Sequence, residues 1–295
     1  MKNKRRNRFI KYMFLAVFVV CLIPVGQEYY LSWRHKSQMN NLRKMAGALT
    51  GQEDYGTENT PAPGTEEARR PEASSAPGTE GEHCPESSFA AGIAGESESY
   101  QTKEPVILSR YAALYEKNSD FAGWLFIEGT DISYPVMQCE DDEYYLDHDF
   151  YGNKDKYGCL YVRNKADLNA GTNFVIYGHN MRDGAMFGKL DLYQKESFYP
   201  EHREIFFHTL YEERVYEIIA VFRSQVYNSD DDAFKYYQFY EADTPEEFDY
   251  FYENIKTLSL YDTGVTAEFG DTFLTLSTCA YHVEDGRFVV VAKRR

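Results

Sequence analysis

Apolar and polar positions alternate along much of the second half of the chain, and such alternation marks strands. Asn173 to Tyr177, Glu204 to Thr209, Val215 to Val226, Thr272 to Thr278 and Arg287 to Lys293 all read this way. Shorter runs at Trp124 to Ile127, Ile132 to Val136 and Cys159 to Val162 add to them, the first two joined by the turn Glu128-Gly129-Thr130-Asp131. Pro135 assigns its strand an edge or a bulge, because proline cannot donate to a ladder. At three places a helical period takes over. Ile107, Leu108, Tyr111, Leu114 and Tyr115 predict a short helix over 106–116. Asp183 is placed to cap a helix over 185–193. Thr244-Pro245-Glu246-Glu247 reads as an N-cap with proline at N1, before Phe248, Phe251, Tyr252 and Ile255. About eight short strands at this spacing predict a mostly β domain, a closed barrel or a sandwich.

The start of the chain is patterned differently. Lys2, Lys4, Arg5, Arg6, Arg8 and Lys11 precede an uncharged run from Tyr12 to Gln27. Residues 9–26, with Lys11 reaching back to the headgroups, would span about 27 Å as a helix, against roughly 30 Å of hydrocarbon. Ile23-Pro24-Val25-Gly26-Gln27 lacks the small residues of a cleavage site, so a retained signal-anchor is expected rather than a cleaved signal peptide. Residues 1–8 would then be a cytoplasmic basic tail, with everything after Gly26 outside the cell. Residues 27–104 are expected to form an extracellular stalk. From residue 51 onward they are rich in Glu, Gly, Pro, Ser, Thr and Ala, and Ala62-Pro63-Gly64-Thr65-Glu66 recurs as Ala76-Pro77-Gly78-Thr79-Glu80. That leaves 105–295 as the folded domain.

Charge sharpens this division. Lys and Arg number ten against one Glu in residues 1–50 and three against twelve acidic residues in 51–104, so the net −16 falls on 105–295. An acidic domain repels phosphate backbones, which excludes a nucleic-acid binder. Aromatic residues make up 16% of the chain, and they favour half-buried pleated surfaces, in keeping with the strands.

Candidate chemistry lies at strand ends. Alternation puts Phe273, Thr275, Ser277 and Cys279 on one face, and the chain returns seven residues later through Arg287, Val289 and Val291. If these strands pair antiparallel, Cys279 and Arg287 come about 5 Å apart in Cα distance. His179 closes the strand Asn173 to Tyr177, after Gly178. An imidazole beside a thiol serves as acid or base, a cation beside a thiol favours the thiolate, and a guanidinium can hold an oxyanion. Of five cysteines, Cys21 lies in the anchor and Cys84 in the stalk, without metal-type spacing. Three remain in the domain, so at least one is unpaired. Cys139 and Cys159 are expected as two thiols rather than a disulfide.

Thr275-Leu276-Ser277-Thr278-Cys279, followed by Arg287-Phe-Val-Val-Val-Ala-Lys293 and preceded by Tyr177-Gly178-His179-Asn180-Met181, resembles the sortase family, and within it class B. The likeness runs from about Tyr111 to Lys293. It takes in Gly123-Trp124-Leu125, Ile132 to Gln138, Tyr144-Tyr145-Leu146 and the helix after Thr244. The resemblance implies a closed eight-stranded β-barrel with an N-terminal helix and a helix in the long loop before the penultimate strands. It implies a cysteine transpeptidase on the outer face of a Gram-positive membrane, single-pass, with no cofactor and no metal. Cys279 would be the nucleophile, His179 the acid and base, and Arg287 the oxyanion and substrate contact. Ser277, Tyr177 and Thr278 match positions lining the substrate groove. Implied partners are secreted proteins with a C-terminal sorting motif and an acceptor amine, from a lipid II-like peptidoglycan precursor or a pilin Lys. Asp142 departs from the family, which more often has Asn there, and puts a negative charge near the groove. A secreted cysteine peptidase, a pilin-polymerising class B sortase and a non-catalytic peptide-binding module are the alternatives. The acidic runs Glu140 to Glu143 and Asp230 to Asp232 lack the EF-hand pattern and are read as solvated loops.

Overall fold

The strands β1 (Phe121–Phe126), β2 (Ser133–Met137), β3 (Leu160–Val162), β4 (Asn173–Tyr177), β5 (Glu204–Thr209), β6 (Val215–Gln225), β7 (Phe273–Cys279) and β8 (Gly286–Arg294) close into one barrel. The order around it is β1-β2-β3-β4-β7-β8-β6-β5. This computed structural model describes residues 2–47, 105–281 and 283–295, with side chains in the first helix at 12, 13 and from 22 onward. The low-complexity segment expected as stalk lies, from residue 48 to 104, outside the described residues. Every expected strand is present, with ends within two or three residues of the pattern. Closure decides between barrel and sandwich.

Two of the pairings are parallel, β2 with β3 and β4 with β7, and the others are antiparallel. Pro135 pairs with Trp124 on β1 but precedes the β3 ladder, which starts at Val136, so its missing N–H deprives no second strand. Alternation sorts the side chains of the β4–β7–β8 wall. Phe174, Ile176, Leu274, Leu276, Phe288 and Val290 join the main core, while Val175, Phe273, Val289 and Val291 face a second cluster outside the wall.

That second cluster is covered by α3 (Pro245–Leu258), which buries Phe248, Phe251 and Ile255 against it. Each such side chain contributes roughly 1.5–3 kcal/mol by leaving water. Thr244 caps α3 as its sequence predicts, its Oγ1 accepting from Glu247 N at 3.3 Å. A short helix α2 (Ser109–Lys117) opens the barrel unit.

Two expectations are corrected. No α-helix spans 185–193. Asp183 Oδ1 accepts from Ala185 N at 3.2 Å, closing a turn, after which the chain runs through 3₁₀ turns at Leu190–Gln194 and Glu196–Glu201. Gly184 at φ +80° and Met186 at φ +53° prevent a helix from propagating there. The stalk does not begin at residue 27. Helix α1 continues from Lys2 to Ala46, and its last five turns dock on the barrel unit. His35, Met39, Leu42 and Ala46 recur at helical spacing and are buried against the unit. Polar contacts flank them: Arg34 with Asp155 at 2.7 Å, Gln38 with Asp149 at 3.0 Å, and Arg43 with the carbonyls of Ser133 and Asp131 at 3.0 and 3.1 Å. Among the described residues no helix is long and apolar enough to cross a membrane.

Candidate active site

Three strand ends meet at one rim of the barrel. The β7–β8 register places Cys279 directly opposite Arg287. The parallel β4–β7 register pairs Tyr177 with Ser277, and Gly178 N donates to Ser277 O at 3.2 Å, so the chain carries His179 up alongside Cys279. Asn180 completes the link: its Nδ2 donates to Cys279 O at 2.9 Å and to Asp191 Oδ2 at 3.2 Å. Gly178 is required at the exit of β4, since a Cβ there would stand 2.4 Å from Leu160 Cδ2 and 2.7 Å from Phe187 Cδ2.

Both Cys279 and His179 are half-buried, open enough for substrate and enclosed enough to be held. His179 Nε2 lies 2.6 Å from the carbonyl of Leu146. A carbonyl only accepts, so Nε2 carries a proton in this arrangement. Arg287 uses Nη1 on the carbonyls of Asp285 and Gly286, at 3.1 and 2.9 Å, which orients the fork; among the described residues Nε and Nη2 have no partner, which leaves them for an incoming oxygen.

On the outer face of the β4–β7 wall Tyr177 is half-buried, its ring stacked on Tyr161 at 5.4 Å and under the Arg163 guanidinium at 5.1 Å. Burial pushes the Tyr177 phenol well up and that of Tyr161 up to about 12, against the opposing pull of Arg163. Ser277 is buried beneath Tyr236, with 2.8 Å between the hydroxyls. Asn173 fixes the overlying segment twice, its Nδ2 donating to Phe239 O at 2.9 Å and its backbone N–H donating to Tyr240 O at 3.0 Å. Thr278 turns to the opposite face from Ser277, is buried, and donates to Gly178 O at 2.7 Å, which ties β7 to the His179 loop.

Asp142 accepts from Asn164 N at 2.7 Å. Cys139 and Cys159 are free thiols. The first is half-buried, donating to Asp141 O at 3.2 Å; the second is buried, and burial pushes its thiol up. Among the described residues no group of three or more His, Cys, Asp or Glu converges in a way that could hold a metal.

The profile of the sortase domain family matches residues 125–295, which is more than half of the chain. The chain belongs to the sortase family. Its relatives place it in class B. It is 33% identical over 186 residues to sortase B of Listeria monocytogenes, covering 61% of this chain and 72% of that protein. With sortase B of Staphylococcus aureus it shares 28% over 207 residues, 66% of this chain and 82% of the other. Among solved structures, sortase B of Bacillus anthracis in complex with AAEK1 aligns with a TM-score of 0.57 at 32% identity, over 64% of this chain and 85% of that one. The Staphylococcus aureus sortase B–substrate complex aligns at 0.58 and 28% identity, over 64% and 86%. Sortases are cysteine transpeptidases, and this sortase has the same closed barrel.

Tyr161, Arg163 and Tyr236 escaped the sequence reading, and Asn180 and Leu146 entered it only within motifs, without a role. Their roles come from the parallel β2–β3 and β4–β7 pairings and from a long loop folding back, none of which has a local signal. Alternation on β3 does set Tyr161 apart from Leu160 and Val162, and it is the one cue that was present.

Proposed function

We propose that this sortase is a membrane-anchored, extracellular transpeptidase that cuts a C-terminal sorting motif and passes the acyl group to an amine of a peptidoglycan precursor. In this reading the Cys279 thiolate attacks the threonyl carbonyl of the motif, and the oxyanion is held by the free N–H groups of Arg287. The C–N bond breaks as His179 gives its proton to the leaving amine, and a thioester remains on Cys279. His179 then takes a proton from the incoming amine, which attacks the thioester and expels the thiolate. Because Nε2 is engaged with Leu146 O, substrate must draw the imidazole off that carbonyl or use Nδ1 for transfer. Tyr177 and Ser277 belong to the groove that receives the motif. The run Tyr12 to Gln27 anchors the chain, with the barrel outside.

The observation that most supports this reading is the strand register that sets Arg287 opposite Cys279, together with the Asn180 bridge that holds the His179 loop to Cys279 O. A library of sorting-motif pentapeptides offered to the full chain with triglycine, with product followed by mass and Cys279→Ala as control, tests it. Ligated product that depends on Cys279 is expected. Hydrolysed peptide alone at saturating triglycine would leave a peptidase, and no acyl-enzyme with any peptide would overturn the proposal.

A further inference from the structure

The docking of α1 changes where the barrel stands. The docked part of α1, up to Gly47, and the chain from Pro105 belong to the same compact unit, so the proposed anchor joins the barrel through α1. The contacts of α1 start at once after the uncharged run: Glu28 pairs with Lys156, Ser32 donates to Asp183 at 3.2 Å, and His35 stacks on Tyr157 at 4.1 Å. From Gln27 to Ser32 a helix rises only about 7.5 Å, the thickness of one headgroup layer. Asp183 lies four residues beyond His179.

The surface at this level exposes aromatic side chains on both α1 and the β7–β8 loop. On the undocked side of α1, Tyr29, Tyr30 and Trp33 are 76%, 57% and 58% exposed, with Tyr30 and Trp33 rings 6.2 Å apart. Across the cleft, Tyr281 is 82% exposed and Val283 45% exposed in the β7–β8 loop that follows Cys279. Tyr281 lines the same cleft as Glu28, Ser32, Lys156 and Arg182. Exposed Tyr and Trp beside an apolar run are residues of the membrane interface, and Arg182 suits lipid phosphate.

We infer that the catalytic rim itself rests on the lipid headgroup layer, held there by the docked part of α1, with Tyr29, Tyr30 and Trp33 on one side of the cleft and Tyr281 and Val283 on the other. This inference builds on the proposed anchor. Its consequence is that an amine or sorting signal still attached to lipid reaches Cys279 along the bilayer surface.

Tryptophan fluorescence tests it, because the chain has two Trp and the second, Trp124, is fully buried. Full chain is reconstituted in vesicles of phosphatidylcholine and phosphatidylglycerol, floated, and read with lipids brominated near the headgroup end of the acyl chain. Trp33 should be quenched, and Trp33→Phe should leave only unquenched Trp124 emission. Tyr281→Trp in that background, at a position exposed enough to accept it, should restore quenching to at least half that of Trp33. Chain that floats and shows Trp33 quenching but none from the indole at 281 would overturn the inference and leave the anchor standing. Chain that fails to float would remove both.

Discussion

Asn180 is a positioning residue whose amide bridges two elements. Replacing it with Ala removes the link to Cys279 O and strips a partner from Asp191, whose other carboxylate oxygen is already buried without one among the described residues. Asn180→Ala is expected to lower kcat roughly 10-fold with KM little changed, in steady-state ligation assays, whereas a purely structural role would lower Tm and spare the kcat of the folded fraction. Arg287 carries a stronger expectation. Arg287→Ala should lower kcat/KM about 10²–10³-fold, and Arg287→Lys should recover only a small part, since a lone ammonium cannot both hold the Asp285 and Gly286 carbonyls and reach an oxyanion. A Lys variant with near-native kcat/KM would remove the oxyanion role. At Gly178 a methyl group meets Leu160 and Phe187, so Gly178→Ala should destabilise the fold by about 1–3 kcal/mol in chemical denaturation. The meeting of Cys279 with Arg287 was legible in the sequence because each sits at a strand end, where alternation and a following turn give its face. The hydroxyl partner of Thr278 was not legible: neighbouring strand residues point to opposite faces, and the one beside Cys279 donates to Gly178 O across the parallel pairing.

Whole elements were read better where their stop and start signals were chemical. Thr244 with Pro245 fixed α3 to the residue, and Thr244→Ala should cost about 1 kcal/mol of stability. The segment after Asp183 shows the opposite case. Its capping side chain is real, but Gly184 and the left-handed Met186 turn the cap into a loop that returns the chain toward the site. The docking of α1 went unread because Met39, Leu42 and Ala46 form a thin stripe on an otherwise polar helix. His35 gives that element a measurable signature. Burial holds its imidazole down at about 4, with Asp155 and Asp183 opposing and Arg43 and Arg34 adding to the effect. Its folded-state value lies below its ordinary 6.5, so the unfolded chain binds the extra proton. Stability should therefore be intact above about pH 6.5 and fall as pH drops toward 4, by about 2 kcal/mol at pH 5. Thermal melts of the full chain and of His35→Phe should diverge across that window, and parallel curves would show that His35 is solvated.

On the scale of the molecule, the docked helix makes the catalytic unit longer than its family domain. A chain starting at residue 105 would lack the cover over Asp149, Asp155, Tyr157 and Asp183, and should melt well below the full chain and ligate more slowly. Equal melting and rates would show α1 to be dispensable. Barrel closure has a further consequence. β8 is hydrogen-bonded on both sides, to β7 and to β6, although it is the final strand in chain order. Residues 286–294 therefore do two things at once: they close the last open edge of the barrel, and they bring a guanidinium opposite the thiol of Cys279.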